Sequence, residues 1–214
     1  MKGTLFKVIF VFSAGGLAAG VLTVLISHFT PWVLWAGVGI IFLLGLSVTF
    51  VIACEQGWLS VRASRTRYLI SAIVVIASYP IAFLAVFESV FLYHWVYRAL
   101  LPAGWQERLS HETESFYIGL LLAAVLSAIL ISCALKLVTG KWDGRVVALL
   151  MIAGVTAIVM SFAMAVTIRY IDRHSYYEYP VLFILGEAFF GGLSGYWLLR
   201  ASRGDEQVTT ALNQ

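Results

Sequence analysis

The chain has 214 residues, of which 61% are hydrophobic and only 12% are Asp, Glu, Lys or Arg, with a formal net charge of +3. Soluble domains carry about 25% charged residues, and here whole stretches long enough to cross a bilayer pass without one. A soluble enzyme, a disordered chain and a nucleic-acid-binding protein are thereby excluded, and the expected fold class is all-α: a polytopic integral membrane protein whose first partner is the lipid bilayer.

A helix crosses the roughly 30 Å hydrocarbon core in about 20 residues, and six stretches of that kind are predicted, together forming one transmembrane domain. The first, Leu5 to Ser27, follows Lys2 and Lys7 as a secretory signal would. Its apolar run is longer than a signal's, however, and no small-x-small cleavage site follows it before His28, so it is expected to stay as a helix. Gly16 and Gly20 stand four apart in it, the spacing that lets helices approach closely in lipid. The second, Pro31 to Cys54, opens on a proline that suits a first helical turn. The third, Tyr68 to Tyr97, is the longest, and Pro80 inside it removes a backbone hydrogen bond and should kink or loosen the helix near Ile76. The fourth, Phe116 to Leu137, carries Gly119, Ala123 and Ser127 on one face. The fifth, Val146 to Ile168, carries Ala153, Ala157, Ser161 and Ala165. The sixth, Pro180 to Leu199, again starts at a proline.

Six spans put both termini on one side, and Lys and Arg choose it. Lys2, Lys7, Arg62, Arg65, Arg67, Lys136, Lys141, Arg145, Arg200 and Arg203 fall on one side, against Arg98, Arg108, Arg169 and Arg173 on the other. The positive-inside rule therefore predicts cytoplasmic termini in a bacterial-type inner membrane. Trp32, Trp35, Trp95 and Trp105 are expected in an outer aromatic belt, and Trp58, Trp142 and Trp197 in an inner one. Cys54 and Cys133 lie near the reducing side on different helices and are expected to be free thiols.

Glu88 and Glu187 are the two acidic residues well inside predicted spans, and an ionisable group there is a functional candidate by default. Glu88 precedes Arg98 by ten residues and Glu187 follows Glu178 by nine. At 1.5 Å per residue they lie about 15 and 13 Å below the outer end and could share a layer. Gly191, Ser194 and Gly195 fall on the same side as Glu187, which points it inward. Around Glu88 stand Leu84, Ala85, Phe91, Leu92 and Trp95, with no polar company. The chemistries open to this pair are proton or cation coupling, ligation of a solute, and hydrogen bonding between helices as neutral acids.

The outer side is chemically the richer one. His28, His94, His111 and His174 fall there, with Tyr93, Tyr97, Tyr117, Tyr170, Tyr176, Tyr177 and Tyr179. No HExxH or comparable spacing joins the histidines to carboxylates, so neither a metal nor a cofactor can be named. The loop from Arg98 to Ser115 is expected to form a short surface helix. YPIAFLAVFESVF from Tyr79 echoes YPVLFILGEAFF from Tyr179, but Pro80 lies inside its helix and Pro180 at a helix start, which argues against an inverted repeat. Gly192-Leu193-Ser194-Gly195 matches the GxSG of rhomboid proteases. Here Ser194 sits in the cytoplasmic half of the last span while every His lies towards the outside, so nucleophile and base cannot meet.

The candidate ligand- or ion-binding residues are thus Glu88, Glu187, His94, Tyr93 and Ser194. They suggest a non-enzymatic membrane protein that binds or moves a small molecule through an outward-opening site. The alternative is a structural or accessory subunit of a larger assembly, with other membrane subunits as partners. Span number, termini and length resemble in topology the substrate-binding subunits of energy-coupling-factor vitamin transporters, a likeness that no motif carries and that would imply a small-molecule ligand.

Overall fold

A computed structural model of the chain describes residues 2–29, 33–59, 63–100, 111–171 and 178–212. Among the described residues there are six helices: α1 Lys2–Phe29, α2 Val33–Glu55, α3 Arg65–Leu100, α4 His111–Thr139, α5 Gly144–Ile171 and α6 Glu178–Leu212. Five of them, α1 to α5, are long and apolar enough to cross a membrane. Large apolar side chains such as Phe6, Phe10, Leu44, Val48, Leu69, Ile73, Ile152 and Val159 cover the exterior of the bundle. A soluble monomer does not expose apolar surface on that scale, and the chain is an integral membrane protein. Helices are the solution lipid imposes, because each satisfies its own backbone where no water can.

Capping sets the turns. At the end of α2, Gly57 takes φ +65° and its N–H donates to the Cys54 carbonyl at 3.0 Å. At the end of α4, Gly140 takes φ +70° and donates to the Lys136 carbonyl at 2.7 Å. These left-handed positions close a helix and suit a residue without Cβ. Ser64 accepts from the Arg67 N–H at 3.3 Å at the start of α3, and Asp143 accepts from the Arg145 N–H at 3.0 Å at the start of α5, as N-caps do.

The helices form a ring in chain order, with α1 closing against α6. The α1–α6 interface is the most extensive, and its cause lies in the glycines. A Cβ on Gly16 would run into the Glu187 carbonyl, one on Gly191 into the Phe12 carbonyl, and one on Gly195 into the Phe12 ring at 2.7 Å. Residue numbers fall along α1 as they rise along α6, so the two helices are antiparallel. The small-residue faces expected on the first and sixth spans therefore meet each other. In the same way Gly154 of α5 lets Ala124 of α4 close in.

α3 runs as one continuous helix through Pro80. A proline at this position takes the hydrogen bond from the Ile76 carbonyl. Gly39 of α2 packs its backbone against that carbonyl, where a Cβ would stand 2.6 Å from the oxygen. A neighbouring helix thus covers the freed group, as in membrane helices generally.

One end of the bundle gathers the charge. Lys7 Nζ lies 5.8 Å from the centre of the Trp58 ring, and Lys136 Nζ lies 5.6 Å from that of Trp142. Arg200 pairs with Asp143 at 2.7 Å, and Lys141 Nζ donates to the Ala201 carbonyl at 3.1 Å. The α2–α3 and α4–α5 connections, the start of α1 and the Arg200 region of α6 accordingly share this end. Trp197, expected in an inner lipid-facing belt, is instead buried at 2% exposure. It packs edge-on against Trp142 with ring centres 6.3 Å apart. Both cysteines are free.

Candidate functional site

Hydroxyl groups in an apolar helix ordinarily donate to the carbonyl one turn back. Ser132, Ser161, Thr139 and Thr156 all do so, at 2.6 to 2.8 Å. Ser71 instead reaches across from α3 to the Ala134 carbonyl of α4 at 3.0 Å. Thr23 Oγ1, Ser194 Oγ and both carboxyl oxygens of Glu187 break the pattern: they are buried without a hydrogen-bond partner. An unmade hydrogen bond at a buried group costs about 1–3 kcal/mol, so each of these atoms requires a reason to be where it is.

Glu187 is 2% exposed. The Gly16 contact brings α1 against its main chain, and a helical side chain leans towards its own helix N-terminus. The carboxyl is thereby carried along the seam towards Thr23, two turns beyond Gly16 on the same face of α1. The Thr23 hydroxyl is close enough to act on the carboxyl, yet the two lack the geometry of a hydrogen bond. Tyr79 of α3 lies within electrostatic reach from the other side. Among the described residues no Lys, Arg or His pairs with the carboxyl.

Beside Glu187 lies a cavity of about 140 Å³. Its walls are Tyr79, Ala82, Phe83 and Val86 of α3, Leu120, Ala123, Ala124 and Ser127 of α4, Gly154, Ala157 and Ile158 of α5, and Gly186, Glu187 and Phe190 of α6. A lipid-like interior with three aromatic rings and a single carboxyl residue at its edge is thus built from four helices. The carboxyl oxygens themselves have almost no accessible surface.

Glu88 does not join this site. It is exposed and absent from the cavity wall, which corrects the expectation of a shared Glu88–Glu187 layer. The reason is helical phase. Tyr79, Ala82, Phe83 and Val86 line the cavity at helical spacing, and Glu88, two residues past Val86, points about 200° away. Depth adds to this: Glu88 lies 23 residues beyond Arg65, about 35 Å along the helix, further than the roughly 30 Å hydrocarbon core is thick. Ser194 is 1% exposed and lines a second, separate cavity. The side chains of Tyr93 and His94 lie outside the described residues, as do those of the other histidines and the outer tryptophans. Of the surface helix expected between Arg98 and Ser115, residues 98–100 belong instead to α3 and 111–115 to α4, and 101–110 lie outside the described residues. Thr23 is the residue that sequence reading passed over. Its signal was its place at the end of the series Gly16, Gly20, Thr23, which follows one helical face.

No known protein family, curated protein or solved structure matches this chain.

Proposed function

We propose that this is a six-span membrane protein of a bacterial-type inner membrane, with cytoplasmic termini, that binds a small molecule in the cavity beside Glu187 and releases it towards the outer side. The charged end described above is then the cytoplasmic one, as the positive-inside rule requires. The observation that carries this reading is the Glu187 carboxyl, buried without a hydrogen-bond partner on a residue that lines an apolar cavity. A cavity of about 150 Å³ is large enough for a benzene ring, so the ligand is a molecule of that size, mostly apolar, with one basic or hydrogen-bonding group for the carboxyl. Phe83, Tyr79 and Phe190 favour an aromatic or cationic body. Movement of the carboxyl between Thr23 and the cavity would link binding to the transfer of a proton or a cation.

Benzylamine and benzyl alcohol, which share a ring and differ in charge, test this by thermal unfolding of the purified protein in mild detergent. Both raise the melting temperature of the wild type, with benzylamine the stronger. Glu187→Gln removes the advantage of the amine, while Ala123→Phe fills the cavity and removes the response to both. No shift with either probe would overturn the reading. A constant protein partner retained through purification would instead favour the subunit of a larger assembly.

A further inference from the structure

A second cavity, of about 610 Å³, lies nearer the charged end and is nearly all apolar. Its shape follows from how α2 and α3 meet. They touch backbone to backbone where Gly39 lies on Ile76. Nearer the charged end two side chains fill the gap, Phe50 and Tyr68, whose rings are 6.0 Å apart. The helices therefore diverge from Gly39 towards Arg65 and leave a wedge. Its rim carries the exposed residues Ser47, Val51 and Leu69, so it faces sideways, towards lipid, and its inner wall is formed by buried residues such as Val75 and Ile131.

We infer that this wedge takes one acyl chain of an anionic phospholipid from the adjacent leaflet, with the headgroup held at Arg65. Two features choose the occupant. The wall of α3 runs from Arg65 to Val75, ten residues or about 15 Å, which is half the roughly 30 Å hydrocarbon core and so the depth of one leaflet. Arg65 lines the mouth, and no described carboxylate forms an ion pair with it: Asp143 is taken by Arg200, and Glu55, at the end of α2, makes no such contact. A free guanidinium at the headgroup level above an apolar slot complements a phosphate with net negative charge. The site is independent of the Glu187 cavity.

Native mass spectrometry of the full chain, incubated with equal amounts of phosphatidylglycerol and phosphatidylcholine of identical chains, decides the matter. One phosphatidylglycerol is retained in preference to phosphatidylcholine. Arg65→Gln lowers that preference about fivefold, the factor conferred by one cation near a membrane surface. Ala72→Phe, which narrows the wedge midway along its α3 wall, lowers retention of both lipids. Equal retention of the two lipids, a preference unchanged in Arg65→Gln, or palmitate retained in place of phospholipid would overturn the inference. Arg65 is exposed at a helix start, so its variant reports on the site even where Ala72→Phe disturbs folding.

Discussion

A single methyl group added at Gly16 tests whether α1 and α6 are held together through their main chains. The new Cβ would overlap the Glu187 carbonyl and stand 3.1 Å from the Ala188 Cα. Main-chain atoms inside a helix cannot rotate aside, so the helices must separate along the seam. Overpacking costs about 1–3 kcal/mol, and an obstacle this rigid places Gly16→Ala near 3 kcal/mol. Replacing a mid-helix glycine by alanine offsets about 0.5–1 kcal/mol of that through helix propensity, leaving a net loss of about 2 kcal/mol. Gly186 supplies the control, for it adjoins Glu187 on α6 and a Cβ there meets nothing within 4 Å. Gly186→Ala should therefore stabilise by about 0.5–1 kcal/mol. Reversible unfolding in mixed micelles with increasing SDS, followed by tryptophan fluorescence, measures both. Opposite signs at two glycines flanking the same residue are expected. A neutral or stabilising Gly16→Ala would show that the seam is not closed backbone to backbone, and would remove the reason given for the placement of the Glu187 carboxyl.

Glu187→Met keeps the length of the side chain and deletes two unpartnered oxygens, so the same titration should show a gain of about 1–3 kcal/mol, and a loss would mean that the carboxyl has a structural partner. Reporters fused after Gln214 or placed in the connection at Lys141 should report cytoplasm, and reporters near Glu112 or His174 the outside. A cytoplasmic signal at Glu112 would reverse the orientation.

Much of the architecture is legible in residue order because lipid leaves few choices. Charge-free stretches of spanning length had to be helices, and the glycines at 16, 191 and 195 marked the faces where another helix comes close. What escaped was lateral position. Glu88 and Glu187 are alike in their distance from neighbouring charges, but distance along a helix does not say which way a side chain points. Phase settled the matter only once Tyr79, Ala82 and Val86 were placed against the cavity. The cover over the Ile76 carbonyl is illegible for a related reason: it comes from Gly39, 41 positions before Pro80 in sequence. Trp197 has the composition of an interfacial residue and the surroundings of a core one.

The position of Glu187 joins these strands. A carboxyl is costly in an apolar bundle wherever it is put, and a helix packed loosely at that point would let it reach water or lipid headgroups. Gly16 prevents this by bringing α1 onto the main chain of Glu187, so the side chain has two places to go: the pocket by Thr23, or the cavity lined by α3, α4 and α5. Neither supplies a cation or a hydrogen bond from the described residues. The close contact at Gly16 thus holds a carboxyl with no described hydrogen-bond partner at the border of an apolar cavity, and a fold that only needed a stable core would have placed Leu or Met there. The methionine variant separates the two demands, because stability should rise in the same substitution that abolishes the preference for benzylamine over benzyl alcohol.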